Sequence, residues 1–144
     1  MNILIASDHG GAALKRFLSG YLTLRGFHVE DLGTRRGDES VDYPLYAFSL
    51  ARRVASTEDD CLGIAICGTG IGMSIAANKV PGIRAALVHD KFTAIMARRH
   101  NNANILCLGG RVLDKLAAAR IVEAFIDTKF EGGRHARRIG LIHT

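Results

Sequence analysis

Tryptophan is absent from this chain of 144 residues, and aromatic residues of all kinds make up only 6%. No basic run is interleaved with aromatic rings, which argues against a stacking platform for single-stranded nucleic acid. Cysteine is scarce and odd in number. Cys61, Cys67 and Cys107 form no CxxC and no Cys/His spacing, so neither a disulfide framework nor a metal site is expected, and the thiols read as reduced in a cytosol. No apolar run approaches the length of a membrane span. The opening MNILIASDHGG lacks a basic region and meets Asp8 after a short apolar stretch, so no signal peptide is expected and a cytoplasmic protein is. Proline is nearly missing, with 2 residues against 16 glycines, a balance that suits tight strand-to-helix turns and excludes collagen-like or disordered chains.

What remains is the composition of a single globular domain. A chain of this length buries roughly 68–70% of its unfolded surface, and 48% hydrophobic with 23% charged residues is enough to build such a core. The net charge of +5 and a pI near 9.4 favour an anionic partner. A compact phosphate ligand explains that excess as well as nucleic acid does.

Short aliphatic runs alternate with longer stretches of helical period, the pattern of a parallel sheet with crossover helices. Strands are expected at 2–6, 28–32, 62–66, 85–88 and 105–108, and helices at 12–24, after Pro44, at 72–78, at 91–100 and at 115–129. The expected fold is therefore a three-layer α/β/α, Rossmann-like domain on a five-stranded parallel sheet, covering residues 1–144. Residues 130–144 leave no room for another crossover unit and read as a C-terminal tail. Leu141 and Ile142 within it favour docking on the domain or on a second subunit.

Ligands of open parallel sheets sit beyond the carboxyl ends of the strands. Those ends carry Ser7-Asp8-His9-Gly10-Gly11, the loop Cys67-Gly68-Thr69-Gly70-Ile71-Gly72, His89-Asp90 and Gly109-Gly110-Arg111. The glycine loop feeds a helix, so its amides can cradle an anion or a developing oxyanion. Cys67 stands where strand meets helix, a position that favours a thiolate acting as base or nucleophile. Each residue also has a plain structural explanation. Asp8 suits a helix cap, His100 with Asn101 and Asn102 suits a helix C-terminus, Cys61 and Cys107 suit a core, and Arg134 and Arg138 suit a solvated surface. A dinucleotide site, with Asp90 as the ribose acid, is disfavoured because Met73 follows Gly68, Gly70 and Gly72 where a third spaced glycine belongs.

Taken jointly, Ser7-Asp8-His9-Gly10-Gly11, Asp42-Tyr43-Pro44, Cys67 to Gly72 with Ile75 to Lys79, His100 to Asn104, and Glu131-Gly132-Gly133-Arg134-His135 resemble the ribose-5-phosphate isomerase B family. That family also holds the galactose-6-phosphate and allose-6-phosphate isomerases. The resemblance spans nearly the whole chain. It implies an aldose–ketose isomerase of the pentose phosphate pathway without metal or other cofactor, working through a cis-enediol. It implies Cys67 as the base between C2 and C1, His100 as the ring-opening acid, and Thr69 with Gly68, Gly70, Ile71 and Gly72 as the loop holding the enediolate. It further implies Asp8, His9, Asn101 and Arg111 as substrate contacts, and Arg134 and Arg138 on the phosphate. The cleft is expected across the interface of a homodimer or dimer of dimers, with no nucleic-acid or membrane partner. One branch of the family places a glutamate base after the loop; Met73 stands there, which puts this chain in the cysteine branch. Asn102 replaces a common aspartate beside His100.

The bottom-up chemistry agrees, since isomerising an aldose needs a base, donors at an oxygen becoming negative, and an acid for the hemiacetal. Alternatives are a six-carbon substrate such as allose 6-phosphate or galactose 6-phosphate, a noncatalytic nucleotide binder, or a structural oligomer.

Overall fold

The structure, a computed structural model, describes residues 1–143; Thr144, the last residue of the expected tail, lies outside them. Five strands pair in one all-parallel sheet: β1 (Asn2–Ser7), β2 (His28–Asp31), β3 (Cys61–Cys67), β4 (Ala85–Leu87) and β5 (Ile105–Gly109). Their order is β2-β1-β3-β5-β4. The helices are α1 (Ala12–Leu24), α2 (Tyr43–Ser56), α3 (Ile71–Ala77), α4 (Lys91–Arg99), α5 (Lys115–Asp127) and α6 (Arg134–Ile142).

Alternate residues of each strand point to opposite faces, and two cores follow from that period. Ile3, Ile5, Leu62, Ile64, Ile66, Leu106 and Leu108 pack with α1, α4 and α5. Leu4, Ala6, Ala65, Cys67, Ile105 and Cys107 pack with α2 and α3. The three layers expected from the sequence are therefore present. Caps mark where helices begin: Asp90 accepts from Thr93 N at 2.7 Å and Asp114 from Ala117 N at 2.8 Å, while Pro44 occupies the first turn of α2. Helix α5 ends at Asp127, before the expected Lys129, because Thr128 is already extended and turns its hydroxyl back onto Ala124 O at 2.6 Å.

The tail is helical rather than irregular. Gly132 and Gly133 take positive φ of 72° and 58°, turning the chain so that Ala136 N can donate to Gly133 O at 3.1 Å and start α6. Only His135 of this helix is buried.

Chain direction reverses its drift across the sheet at β1, whose neighbours β2 and β3 lie on either side, and this crevice is where such sheets bind ligands. Beside it, the buried ammonium of Lys15 on α1 is paired with Asp31, which also accepts from Gly33 N at 2.8 Å. Removing one partner strands a buried charge at a cost of about 3–5 kcal/mol, whereas replacing both members by apolar residues is often near neutral. Denaturant midpoints should show Asp31→Ala losing about 3 kcal/mol and the double variant Lys15→Met with Asp31→Leu no more than about 1 kcal/mol. Equal losses would mean the pair is solvated.

Candidate active site

Three strand tips are stitched into one floor. Asp8 N donates to Ile66 O at 3.2 Å, Gly110 N to Cys67 O at 2.8 Å, and Arg111 N to Gly68 O at 2.9 Å. Glycine makes this possible. A Cβ on Gly11 would stand 2.6 Å from Ile66 O, one on Gly110 2.6 Å from Gly10 O, and one on Gly109 2.8 Å from Thr69 O. Backbone therefore lies against backbone, and Asp8, His9, Cys67 to Gly72 and Arg111 converge as expected.

Within this floor Cys67 is 5% exposed, and Gly70 N donates to its sulfur at 3.1 Å. An amide directed at sulfur, at the start of a helix, stabilises negative charge there. Gly70 adopts φ 80° to make that approach, and Thr69 Oγ1 accepts from Ile71 N at 3.3 Å, closing the turn. The guanidinium of Arg111 lies over Gly68, within 3.1 Å of where a Cβ would be. Asp8 uses Oδ1 to cap the short 3₁₀ turn His9–Gly11 through Gly11 N at 3.2 Å, so its structural role is real. His9 Nδ1 accepts from Val41 N at 3.2 Å, which puts the proton of the neutral ring on Nε2. Cys107 is fully buried, and burial pushes its thiol far up, the behaviour of a core residue.

The other predicted residues sit elsewhere. His100 caps the C-terminus of α4, and its neighbourhood is the amino-terminal edge of the sheet. Arg84, just before β4, donates through Nε to Asn101 O at 3.1 Å and Asn102 O at 3.0 Å, and Asn104 O receives Gly63 N near the start of β3. Glu131 N donates to Arg99 O at 3.0 Å, bringing α6 with Arg134 and Arg138 to the same edge. From there to Cys67 is the length of β3 and β5, on the order of 15 Å. One chain thus separates the predicted site into a thiol half and an imidazole–guanidinium half.

Two further residues find their partners. Asp90 is committed to the cap of α4, its carboxyl held below the usual range by the Thr93 amide and hydroxyl, and it follows edge strand β4, away from the crevice, so the dinucleotide reading lacks its acid. Asn102, at φ 44°, accepts from Arg98 Nη1 at 3.0 Å, which makes it a partner of the helix end and not of His100.

Sequence reasoning left two residues without a role. His135 stacks on His100, ring centroids 4.2 Å apart and planes 13° from parallel; no spacing rule links positions so distant in the chain. Tyr43 lays its ring over the first turn of α3, 2.6 Å from where a Gly72 Cβ would stand, and the bare Gly72 was the available signal.

This chain belongs to the ribose/galactose isomerase family, whose model matches residues 3–142. More particularly, it is 50% identical over 141 residues to the probable ribose-5-phosphate isomerase B of Mycoplasma genitalium, covering 98% of this chain and 93% of that one. It superposes on ribose-5-phosphate isomerase B of Clostridium thermocellum with TM-score 0.96 at 52% identity, over 99% and 95% of the two chains. The Mycoplasma genitalium enzyme solved with bound ribulose-5-phosphate gives TM-score 0.94 at 50% identity, over 98% and 93%.

Gly110→Ala would drive the Gly10 carbonyl outward and carry His9 with it. Misplacement of about 1 Å costs roughly 10²-fold in rate, so kcat/KM should fall by at least about tenfold. Gly20→Ala on the exposed face of α1, with nothing within 4 Å, should leave activity unchanged and add about 0.5–1 kcal/mol of stability. Unaltered kinetics in Gly110→Ala would show that the floor is not tightly packed.

Proposed function

We propose that the chain interconverts ribose 5-phosphate and ribulose 5-phosphate, with Cys67 moving the proton between C2 and C1. The observation that carries the reading is the Gly70 amide held 3.1 Å from a thiol at the crevice between β1 and β3. An acid opens the furanose ring, the role given to His100. The thiolate then takes the C2 proton while the C1 carbonyl becomes the enediolate oxygen, facing the amides of Gly68 to Gly72 and Thr69. Transfer of the O2 proton to O1 and return of the carbon proton to C1 complete the ketose. Base and acid each contribute about 10²–10⁴-fold, and fixed donors at the enediolate a comparable factor. Asp8, His9, Asn101 and Arg111 hold sugar oxygens, and Arg134 with Arg138, four apart on exposed α6, hold the phosphate in their planar donor forks.

The separated halves make a second copy part of this proposal. In a two-fold dimer the imidazole–guanidinium edge of one chain faces the thiol floor of the other, and both sites form by the same contact. Ile71 and Ile75 on α3, Val112 beside Arg111 and Ile142 on α6, each more than half exposed, supply apolar surface near both halves. Residues 1–143 then act as one isomerase domain, with the segment from 130 onward docking on the partner. Among the described residues no helix is long and apolar enough to cross a membrane, and three free cysteines suit a reducing cytoplasm.

Six-carbon substrates remain the second reading because the family name covers galactose isomerases. A coupled assay should give a higher kcat/KM on ribose 5-phosphate than on allose or galactose 6-phosphate, whose extra carbon must fit the same span from phosphate to base. Cys67→Ala should abolish both ketose formation and exchange of the C2 proton with deuterated water while still binding sugar phosphate. Retained exchange in that variant would remove Cys67 from the mechanism.

A further inference from the structure

Glu131 and His135 take no part in the chemistry above, yet with His100 they gather three metal-ligating side chains at the amino-terminal edge of the sheet. Their donor atoms all lie within 4.8 Å of one another. His135 is 5% exposed, and its buried Nε2 has no hydrogen-bond partner among the described residues. Among the described residues the anion paired with it is Glu131, whose Oε1 lies 3.8 Å away, beyond hydrogen-bond reach. A buried ring nitrogen left in this state costs stability, and it points to something that would complete it.

The donor set suits a particular occupant. Two imidazoles and a carboxylate with an open fourth position are zinc-type ligands. Burial, then His100 and Arg134, lower the proton affinity of His135 against the opposing pull of Glu131, with Arg138 a smaller contributor in the same direction as burial. That keeps the ring neutral, the form that donates a lone pair. Tetrahedral bonds of about 2.0–2.2 Å separate ligand atoms by roughly 3.3–3.5 Å. The cluster must therefore close by about 1.5 Å and His100 must tilt out of its near-parallel stack on His135 so that both lone pairs face one ion; exposed Glu131 and half-buried His100 are the members able to move. Opposing cations limit the affinity: Arg99 Nε lies 3.8 Å from Glu131 Oε2, and Arg134 and Arg138 adjoin His135.

We propose that His100, Glu131 and His135 form a site for a borderline transition-metal dication, zinc above all, whose occupancy inhibits the isomerase by claiming the ring nitrogen of His100. The inhibition rests on reading His100 as the ring-opening acid; the metal site does not.

Cobalt is the probe, titrated into the full-length protein in a Cys67→Ser background so that the thiolate cannot compete. One cobalt per chain should bind, with visible d–d bands, no thiolate charge-transfer band, and displacement by zinc. Glu131→Gln and His135→Gln should each weaken binding at least about tenfold. In the wild type, zinc should suppress ketose formation reversibly on chelation, and Glu131→Gln, with ordinary metal-free activity, should tolerate at least about tenfold more zinc. Absence of d–d bands at millimolar cobalt, or an affinity unchanged from the parent in either variant, would overturn the site. Binding without inhibition would keep the site and instead overturn the role of His100 as acid.

Discussion

A parallel strand has two unlike ends, and this polarity governs the whole protein. Every strand delivers its carboxyl end to one edge of the sheet, so the loops after β1, β3 and β5 meet there and put Asp8, Cys67 and Arg111 on one floor. Each crossover helix then runs back to the other edge. His100, at the end of α4, and Arg134, at the start of α6, are held there by Arg84 and by the Glu131 amide. The strands between are buried on both faces and nearly incompressible, so no side-chain movement within one chain closes a gap of about 15 Å. Chemistry that needs both ends must be completed by a second molecule.

The floor itself trades side chains for proximity. Gly11, Gly109 and Gly110 allow three backbone segments to touch, and Gly70 turns left-handed so that its amide reaches sulfur. Donors fixed in this way need no rearrangement when an oxygen becomes negative, which is where preorganised amides are most effective. The same crowding places Cys67 at the boundary between the α2/α3 core and the crevice, buried yet bordered by polar backbone. Cys107, on the adjacent strand β5 opposite Ala65, is held as a neutral thiol by burial first, with Cys67 pushing in the same direction.

Much of this was legible in the residues. Short, continuously apolar runs located all five strands, and Pro44 located the start of α2, because such signals are local chemistry. The glycine loop and Cys67 were readable for the same reason. What was not legible depended on long-range contact. The stacking of His135 on His100 joins two elements across 35 positions of sequence, and the helical state of the tail depends on Gly132 and Gly133 turning it against Arg99. Asp90 and Asn102 were ambiguous until their partners, Thr93 and Arg98, were seen.

The direct test of two chains sharing one site is complementation. Cys67→Ala damages only the thiol half and His100→Asn only the imidazole half, so each homodimer is inactive. After unfolding and refolding together, random pairing gives half heterodimers, each with one intact site, and about a quarter of wild-type activity should return. A mixture that stays as inactive as its components, with heterodimers demonstrated by mass, would contradict a site built from opposite ends of two sheets.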